Sequence, residues 1–402
     1  MAYDVSALRA QFPSLSGGTA HFDGPGGSQT PQAVADAVAR ALTSPIANRG
    51  TVTAAERAAD EIVIGARSAM ADLLGADAGG VVFGRSMTQL TYDLARTLAA
   101  DWGPGDEVVV TRLDHDANIR PWVQAAEAAG ATVCWAHFDP ATGELTADDV
   151  SEATSHRTRL VAVTGASNLI GTRPPVAEIA QRAHDLGALV FVDGVHLTAH
   201  APVDVAELGA DVFACSPYKF LGPHCGVLAA DPALLARLRP AKLLPSSDAV
   251  PERFELGTLP YELLAGTTAA VDVLAGLAPT GGTRRERLLA AMADVERHED
   301  ALRERLERGL AALPSVTRWS RAGHRTPTLL LTFEGRDASE AYAFLAGRGV
   351  NAPASSFYAI EASRWLGLGD TGGLRLGLAP YSTEEDVDRV LAALAEFVAS
   401  AG

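Results

Sequence analysis

The sequence predicts an α/β protein: a mostly parallel sheet covered by helices in a large domain, followed by a smaller C-terminal α/β domain. Two observations carry this. From about Gly80 to Leu228, short β-rich runs alternate with helical stretches, and strands that are apolar at consecutive positions belong to sheets buried on both faces. After about Pro279 the stretch "TGGTRRER" reads as a loop or linker, and a new series of helix, strand, helix, strand and helix begins. We therefore expect an N-terminal segment (1–20) packing on the small domain, a large domain (21–278) and a small domain (279–402).

Taken in order, the first seventy residues hold a loop-rich opening and two helical patterns. The strands expected next are "GGVVFG", "DEVVVTR", "ATVCWAHFD", "RLVAVTGAS", "ALVFVDG" and "DVFACS". Between the first two, "TQLTYDLARTLAADW" places Leu90, Leu94 and Leu98 four residues apart on one helical face, and "WGPGDE" ends the run. In the C-terminal part, "RHEDALRERLERGLAAL" sets Leu302, Leu306 and Leu310 on one stripe. The strand "TPTLLLTFEG", the helix "ASEAYAFLAGRG" and the strand "GGLRLGLAPY" follow. A last helix opens at "STEE", where Ser382 and Glu385 have capping-box spacing, and Val387, Val390, Leu391, Leu394 and Val398 form its apolar face.

Composition narrows the function. The chain has 402 residues, 48% of them hydrophobic, enough for a large core. With 33 Lys plus Arg against 49 Asp plus Glu, the formal charge of -16 repels nucleic acid and anionic membranes alike. Three cysteines, Cys134, Cys215 and Cys225, have neither the spacing of a disulfide framework nor the pairs of a zinc site, so a reducing compartment is expected. The opening "MAYDVSALRAQFPSLSGG" lacks the basic run and apolar core of a leader, and no segment reads as a membrane span. A cytoplasmic protein is the expectation.

In open α/β sheets ligands gather at the carboxyl ends of strands, so the polar residues just beyond each strand are the candidates. Asp193 ends "ALVFV", Ser216 and Lys219 follow "DVFACS", Ser167 and Asn168 follow "VAVTGA", and His115 follows "VVVTR". Beyond "VVF", the stretch "GRSMTQ" opens a helix whose N-H groups could seat a phosphate, with Ser86, Thr88 and Gln89 as further donors. A buried Asp193 needs a cation such as a protonated pyridine, and a deprotonated Lys219 could form a Schiff base with an aldehyde. His115 could stack on a flat ring, and Asn168 could donate to a phenolic oxygen. Taken singly, a Lys or Asp at a strand end is more often solvated or salt-bridged, and a lone His is more often a satisfied side chain. Together the five describe pyridoxal phosphate.

With these residues in place, the chain resembles the class V aminotransferase family of fold-type I pyridoxal-phosphate enzymes, in its cysteine-desulfurase-like branch. The stretches that carry the likeness run in order: "AHFDGPGGSQTP", "NRG" at Asn48 to Gly50, "GRSMTQLTYDLA", "LDHDANIRPW", "SNLIGT", "VDGVH", "PVDVAELGADVFACSPYKFLGP", "FELGT" and "GLRLGLAPYSTEEDVDRV". The resemblance implies a fold-type I transferase with a seven-stranded-type sheet and pyridoxal 5'-phosphate as cofactor. It makes Lys219 the Schiff-base lysine, Asp193 the partner of the pyridine nitrogen and His115 the stacking ring. Asn168 and His196 would flank the ring hydroxyl, and Met87, Thr88 and Ser216 would lie at the phosphate. Thr258, in "FELGT", would reach the partner's phosphate in a homodimer, and Arg375 would grip the carboxylate of a small amino-acid substrate.

The departures matter as much. Desulfurases carry a nucleophilic cysteine on a loop shortly before the strand of Arg375, whereas "NAPASSFYAIEASRWLGLGDTGG" holds none, and Ser355 or Ser356 cannot carry a persulfide. They also have His before the lysine and Gln at the place of His196, where this chain has Tyr218 and His196. Cys225, six residues past Lys219, reads more as a buried inert thiol than as a substitute nucleophile, and His224 either shapes the pocket or packs the turn. "GPGGSQT" lacks the lysine and preceding strand of a Walker loop, and "HLTAH" lacks the glutamate of a zinc-hydrolase helix, which argues against a metal site. The expectation is therefore a lyase acting through an external aldimine and Cα deprotonation, with C-S or β-elimination chemistry. An aminotransferase, a racemase or epimerase, and a catalytically idle scaffold or sensor are the alternatives.

Overall fold

The computed structural model describes residues 3–400; residues 1, 2, 401 and 402, at the outer ends of the two terminal segments, lie outside the described residues. The strands are β1 (Ala20–His21), β2 (Val81–Gly84), β3 (Glu107–Thr111), β4 (Thr132–Ala136), β5 (Thr158–Thr164), β6 (Leu189–Asp193) and β7 (Val212–Cys215). They continue as β8 (Gly226–Ala230), β9 (Val316–Arg318), β10 (Thr328–Phe333), β11 (Val350–Asn351), β12 (Ala354–Ser355) and β13 (Gly373–Gly377).

Seven of these form one sheet in the order β2-β8-β7-β6-β5-β3-β4. Strands β4, β3, β5, β6 and β7 are parallel, and β8 alone runs against its neighbours β7 and β2. Successive residues feed two different cores: Val109, Val161, Val163, Val190 and Val192 pack on one face, and Val108, Val110, Leu160, Ala162 and Phe191 on the other. Both faces are dry, which is why the strands read as unbroken apolar runs rather than as alternation. Within this sheet, strand β8 is the one the periodicity missed. Its sequence, Gly-Val-Leu-Ala-Ala, is short and alanine-rich, with little β propensity to mark it.

The helix Met87–Ala99 follows β2 as expected, with Leu90, Leu94 and Leu98 buried in the second core. Two other expectations shift. The helix expected from "RHEDALRERLERGLAAL" already begins at Arg284, because Thr283 and Glu286 close a capping box, so "TRRER" is its first turn and not a linker. Its first half (Leu288, Met292, Val295) packs with the large sheet's core, while Leu302, Leu306 and Leu310 pack with Leu329, Leu331, Leu374 and Leu376. The last helix, Glu384–Ala399, is capped by Thr383 and Asp386, one residue later than the Ser382 and Glu385 pair. Ser382 instead accepts a hydrogen bond from the Ala379 amide at 3.0 Å.

Strands β12, β13, β10 and β9 form a separate antiparallel sheet, and β1 pairs with β11 in parallel. The N-terminal residues pack at the start of the last helix. Tyr3 donates to the Pro380 carbonyl (2.6 Å), and Arg9 binds Asp386 (3.0 Å) and the Tyr381 carbonyl (2.6 Å).

The contact between β8 and the start of the helix Met87–Ala99 requires a glycine. A Cβ on Gly226, the first residue of β8, would lie 2.2 Å from the Ser86 carbonyl carbon and 2.5 Å from the Met87 nitrogen. The helix N-terminus at Met87 is therefore seated directly against bare backbone. Gly226→Ala should cost about 2 kcal/mol or more of stability through this backbone clash; a urea midpoint equal to that of the parent protein would show that the seat can yield.

Candidate active site

Because β8 alone is reversed, the carboxyl ends of β2, β3, β5, β6 and β7 share one edge of the large sheet, and the segments leaving them carry the candidates. A cavity of about 800 Å³ opens there, lined by Met87, Thr88, His115, Asn168, Asp193, His196, Ser216, Lys219 and Arg375. Every candidate drawn from the strand ends and the resemblance is present except three. Gln89 turns away and bonds Asp93 (3.2 Å). Ser167 spends its hydroxyl on the amides of Leu169 and Ile170. Thr258 is exposed and does not line the cavity within a single chain. Ser86 lines it but is occupied as a helix cap, accepting from the Gln89 amide.

Lys219 follows β7 in a short 3-10 turn, and its Nζ donates to the carbonyls of Pro25 (2.6 Å) and Gly26 (3.0 Å). The "GPGG" stretch that superficially suggested a phosphate loop is thus a carbonyl cradle for the lysine. Burial, with Arg375 nearby and only partly offset by Asp193, brings the Lys219 amine down to about 7. Asp193 is buried at the end of β6, accepts from the Val195 amide (2.9 Å) and is pushed up to about 6 by burial. His115 accepts from the Ala117 amide at Nδ1 (3.0 Å), which fixes that nitrogen as unprotonated, and burial lowers the ring to about 4.

Arg375, on β13, enters from the other sheet. It is buried, donates from Nη1 to the Asn168 carbonyl (3.0 Å), and leaves Nε without a partner. Burial lowers it to about 9. Asn168 commits one amide hydrogen to the Phe357 carbonyl (2.9 Å), so it has one N-H left to donate, and its Oδ1 is unpartnered. His196 Nε2 lies 3.0 Å from the hydroxyls of Thr326 and Thr328, and burial drives it well below the ordinary histidine range. His200, its partner in "HLTAH", is turned to Glu299 (2.8 Å).

The cysteines are plainly placed. Cys225 is buried outside the cavity with Sγ 3.5 Å from the Thr267 hydroxyl, and burial pushes its thiol up to about 11. His224 stacks on Tyr218 (4.5 Å, 9°), which lines the cavity. Sequence reasoning missed Asp116, Arg120, Phe357 and Tyr358 as lining residues. Phe357 and Tyr358 lie in the serine loop already singled out, but nothing local marks their long-range contacts.

Residues 20–390 match the family model described as aminotransferase class-V. The chain belongs to this family. It is 35% identical to the protein MT3887 of Mycobacterium tuberculosis over 98% of this chain and 99% of that one. It is 32% identical to the aminotransferase-like protein FGM3 of Gibberella zeae, over 98% of each. Among solved structures it resembles the cysteine desulfurase CsdA of Escherichia coli, with a TM-score of 0.86, 27% identity and the whole of both chains covered.

Enzymes of this class V family depend on pyridoxal 5'-phosphate, and the donor set fits that group. Asp193 is a buried carboxylate that forms no salt bridge among the described residues, as a site for a pyridinium requires. The helix Met87–Ala99 leaves its first N-H groups without intrahelical partners beside Thr88 and Ser216. Lys219 supplies an amine that is half deprotonated near pH 7, where an ordinary lysine is free in only about 1 molecule in 3,000. Capture of added pyridoxal phosphate by the cofactor-free protein should therefore speed up as pH rises through about 7 and level off by about 8, followed by absorbance; a rate still climbing beyond pH 9 would mean an ordinary amine.

Proposed function

We propose that the protein is a pyridoxal-phosphate-dependent lyase that eliminates a β-substituent, by preference a sulfur group, from a small amino acid without a protein thiol. The observation that supports this reading is the pairing of Lys219 and Arg375 across one cavity whose serine loop, residues 351–358, holds no cysteine.

Met87, Thr88 and Ser216 would hold the phosphate, Asp193 the pyridine nitrogen and His115 the ring face, with Asn168 and His196 beside the ring hydroxyl. Bound, the cofactor supplies the electron sink that makes a Cα proton removable. Arg375, which lines the cavity without a salt-bridge partner among the described residues, orients the substrate by its carboxylate. Lys219, as the free base, then takes the proton from Cα, a task matched to an amine that titrates near neutral pH. His115, kept neutral, adds no charge above the ring.

Thr258 would complete a partner's site in a homodimer, and the exposed apolar side chains of Leu42, Val52, Ile64, Leu244 and Leu256 support such a dimer. The three cysteines are all unpaired, which suits the cytoplasm, and no helix among the described residues is long and apolar enough to cross a membrane. The boundaries 21–278 and 279–402 remain our reading of the two domains.

With L-cysteine and one water, the expected products are pyruvate, ammonia and sulfide. Lys219→Ala should abolish them, and Arg375→Met should raise KM by roughly 100-fold through loss of charge-assisted bonds. A keto acid formed with the amine form of the cofactor would move the assignment to an aminotransferase, and a racemised amino acid would move it to a racemase. A panel of amino acids that changes neither absorbance nor product would leave a cofactor-binding scaffold.

A further inference from the structure

Phe357 (φ 52°) and Tyr358 (φ 58°) are consecutive residues in the left-handed region, which side chains other than glycine rarely adopt and which persists only when neighbours hold it. The hold is visible. The Phe357 carbonyl accepts from Asn168 Nδ2 (2.9 Å), the Tyr358 carbonyl from the Asp116 amide (2.7 Å), and the Phe357 amide donates to Ser355 Oγ (3.2 Å). Burial of apolar surface accounts for Phe357, which packs partly buried against the main core, but not for Tyr358, which is 76% exposed.

What the turn does achieve is the placing of two rings. The Phe357 ring lies 3.6 Å from the Arg375 guanidinium carbon, and the Tyr358 ring stacks on His115 at 5.6 Å and 29°. We propose that Phe357 and Tyr358 are positioning residues of the site, fixing the planes of the Arg375 guanidinium and the His115 imidazole, so that residues 355–358 form a rigid wall of the cavity. This rests on the reading of Arg375 as the anchor for a substrate carboxylate. Phe357 covers one face of a guanidinium that lines the cavity and has no salt-bridge partner among the described residues. A carboxylate then meets a fixed edge rather than a mobile cation. Tyr358 braces the imidazole, whose Nδ1 is already held by the Ala117 amide, against rotation.

The cofactor-loaded protein is titrated with L-alanine as the probe, following the absorbance of the cofactor. Phe357→Leu, which keeps the bulk and removes the ring, should raise the apparent dissociation constant about tenfold with cofactor affinity unchanged, and Phe357→Tyr should restore it to within about twofold. Tyr358→Leu should displace the absorption maximum of the bound cofactor and leave L-alanine binding within about twofold. Parent-like titrations and spectra in both leucine variants would overturn the proposal. Amide hydrogen exchange at Asp116, whose N-H is bonded to Tyr358, judges the wall without substrate. Protection comparable to the helix Arg120–Ala129 supports it, and exchange as fast as in an open loop overturns it. A protein that protects Asp116 yet ignores every amino acid would end the enzyme reading and leave the wall standing.

Discussion

Asp193, Lys219 and Arg375 line one cavity with their charged groups largely buried, and the rest of the site follows from that constraint. Burial moves each toward its neutral form, the carboxyl upward and the two cations downward. The lysine yields most usefully, because an amine near 7 is both a nucleophile and a base at working pH. Arg375 is lowered as far as the lysine, yet at about 9 it stays cationic, so it remains a buried charge short of an anion. A fold stable with such groups in place is one whose ligand supplies the missing counter-charges.

Two separate sheets have to meet for that arrangement to exist. Asp193 and Lys219 come from the ends of β6 and β7, and Arg375 from β13. Several contacts hold the segment after β12 against the large sheet. Glu361 bonds both Arg112 and Arg120, the Trp365 indole donates to the Phe138 carbonyl (2.7 Å), and Arg112 lies over the rings of Trp135 and Trp365. Two arginines on one largely buried carboxylate, with an aromatic on either side, make a joint that resists sliding more than a lone surface ion pair would.

How much of this could be read from the chain depends on the distance over which each interaction acts. Asp193, Lys219, His115 and Asn168 were legible because each stands just beyond an apolar run, and topology brings strand ends to one edge. Arg375 was legible only through the family likeness, since no periodicity says that β13 faces that edge. Local choices between equivalent signals were misjudged: Thr383 with Asp386 wins over Ser382 with Glu385, and Thr283 turns a suspected linker into a helix start. Phe357 and Tyr358 could not be found this way. Their partners lie at positions 115, 116, 168 and 375, and their backbone conformation contradicts what aromatic residues prefer.

That contradiction also bears on where sulfur chemistry can occur in this chain. A nucleophile for sulfur must be a thiolate near neutral pH. The serine loop, 351–358, holds none. Its residues are tied to Asn168 and Asp116, and the two thiols nearest in sequence to Lys219, Cys215 and Cys225, are both buried and both raised by that burial, Cys225 to about 11. A group expelled from a substrate's β-carbon would therefore meet no cysteine among the described residues that line the cavity. On the proposed reading it would leave as a small molecule, as an elimination requires.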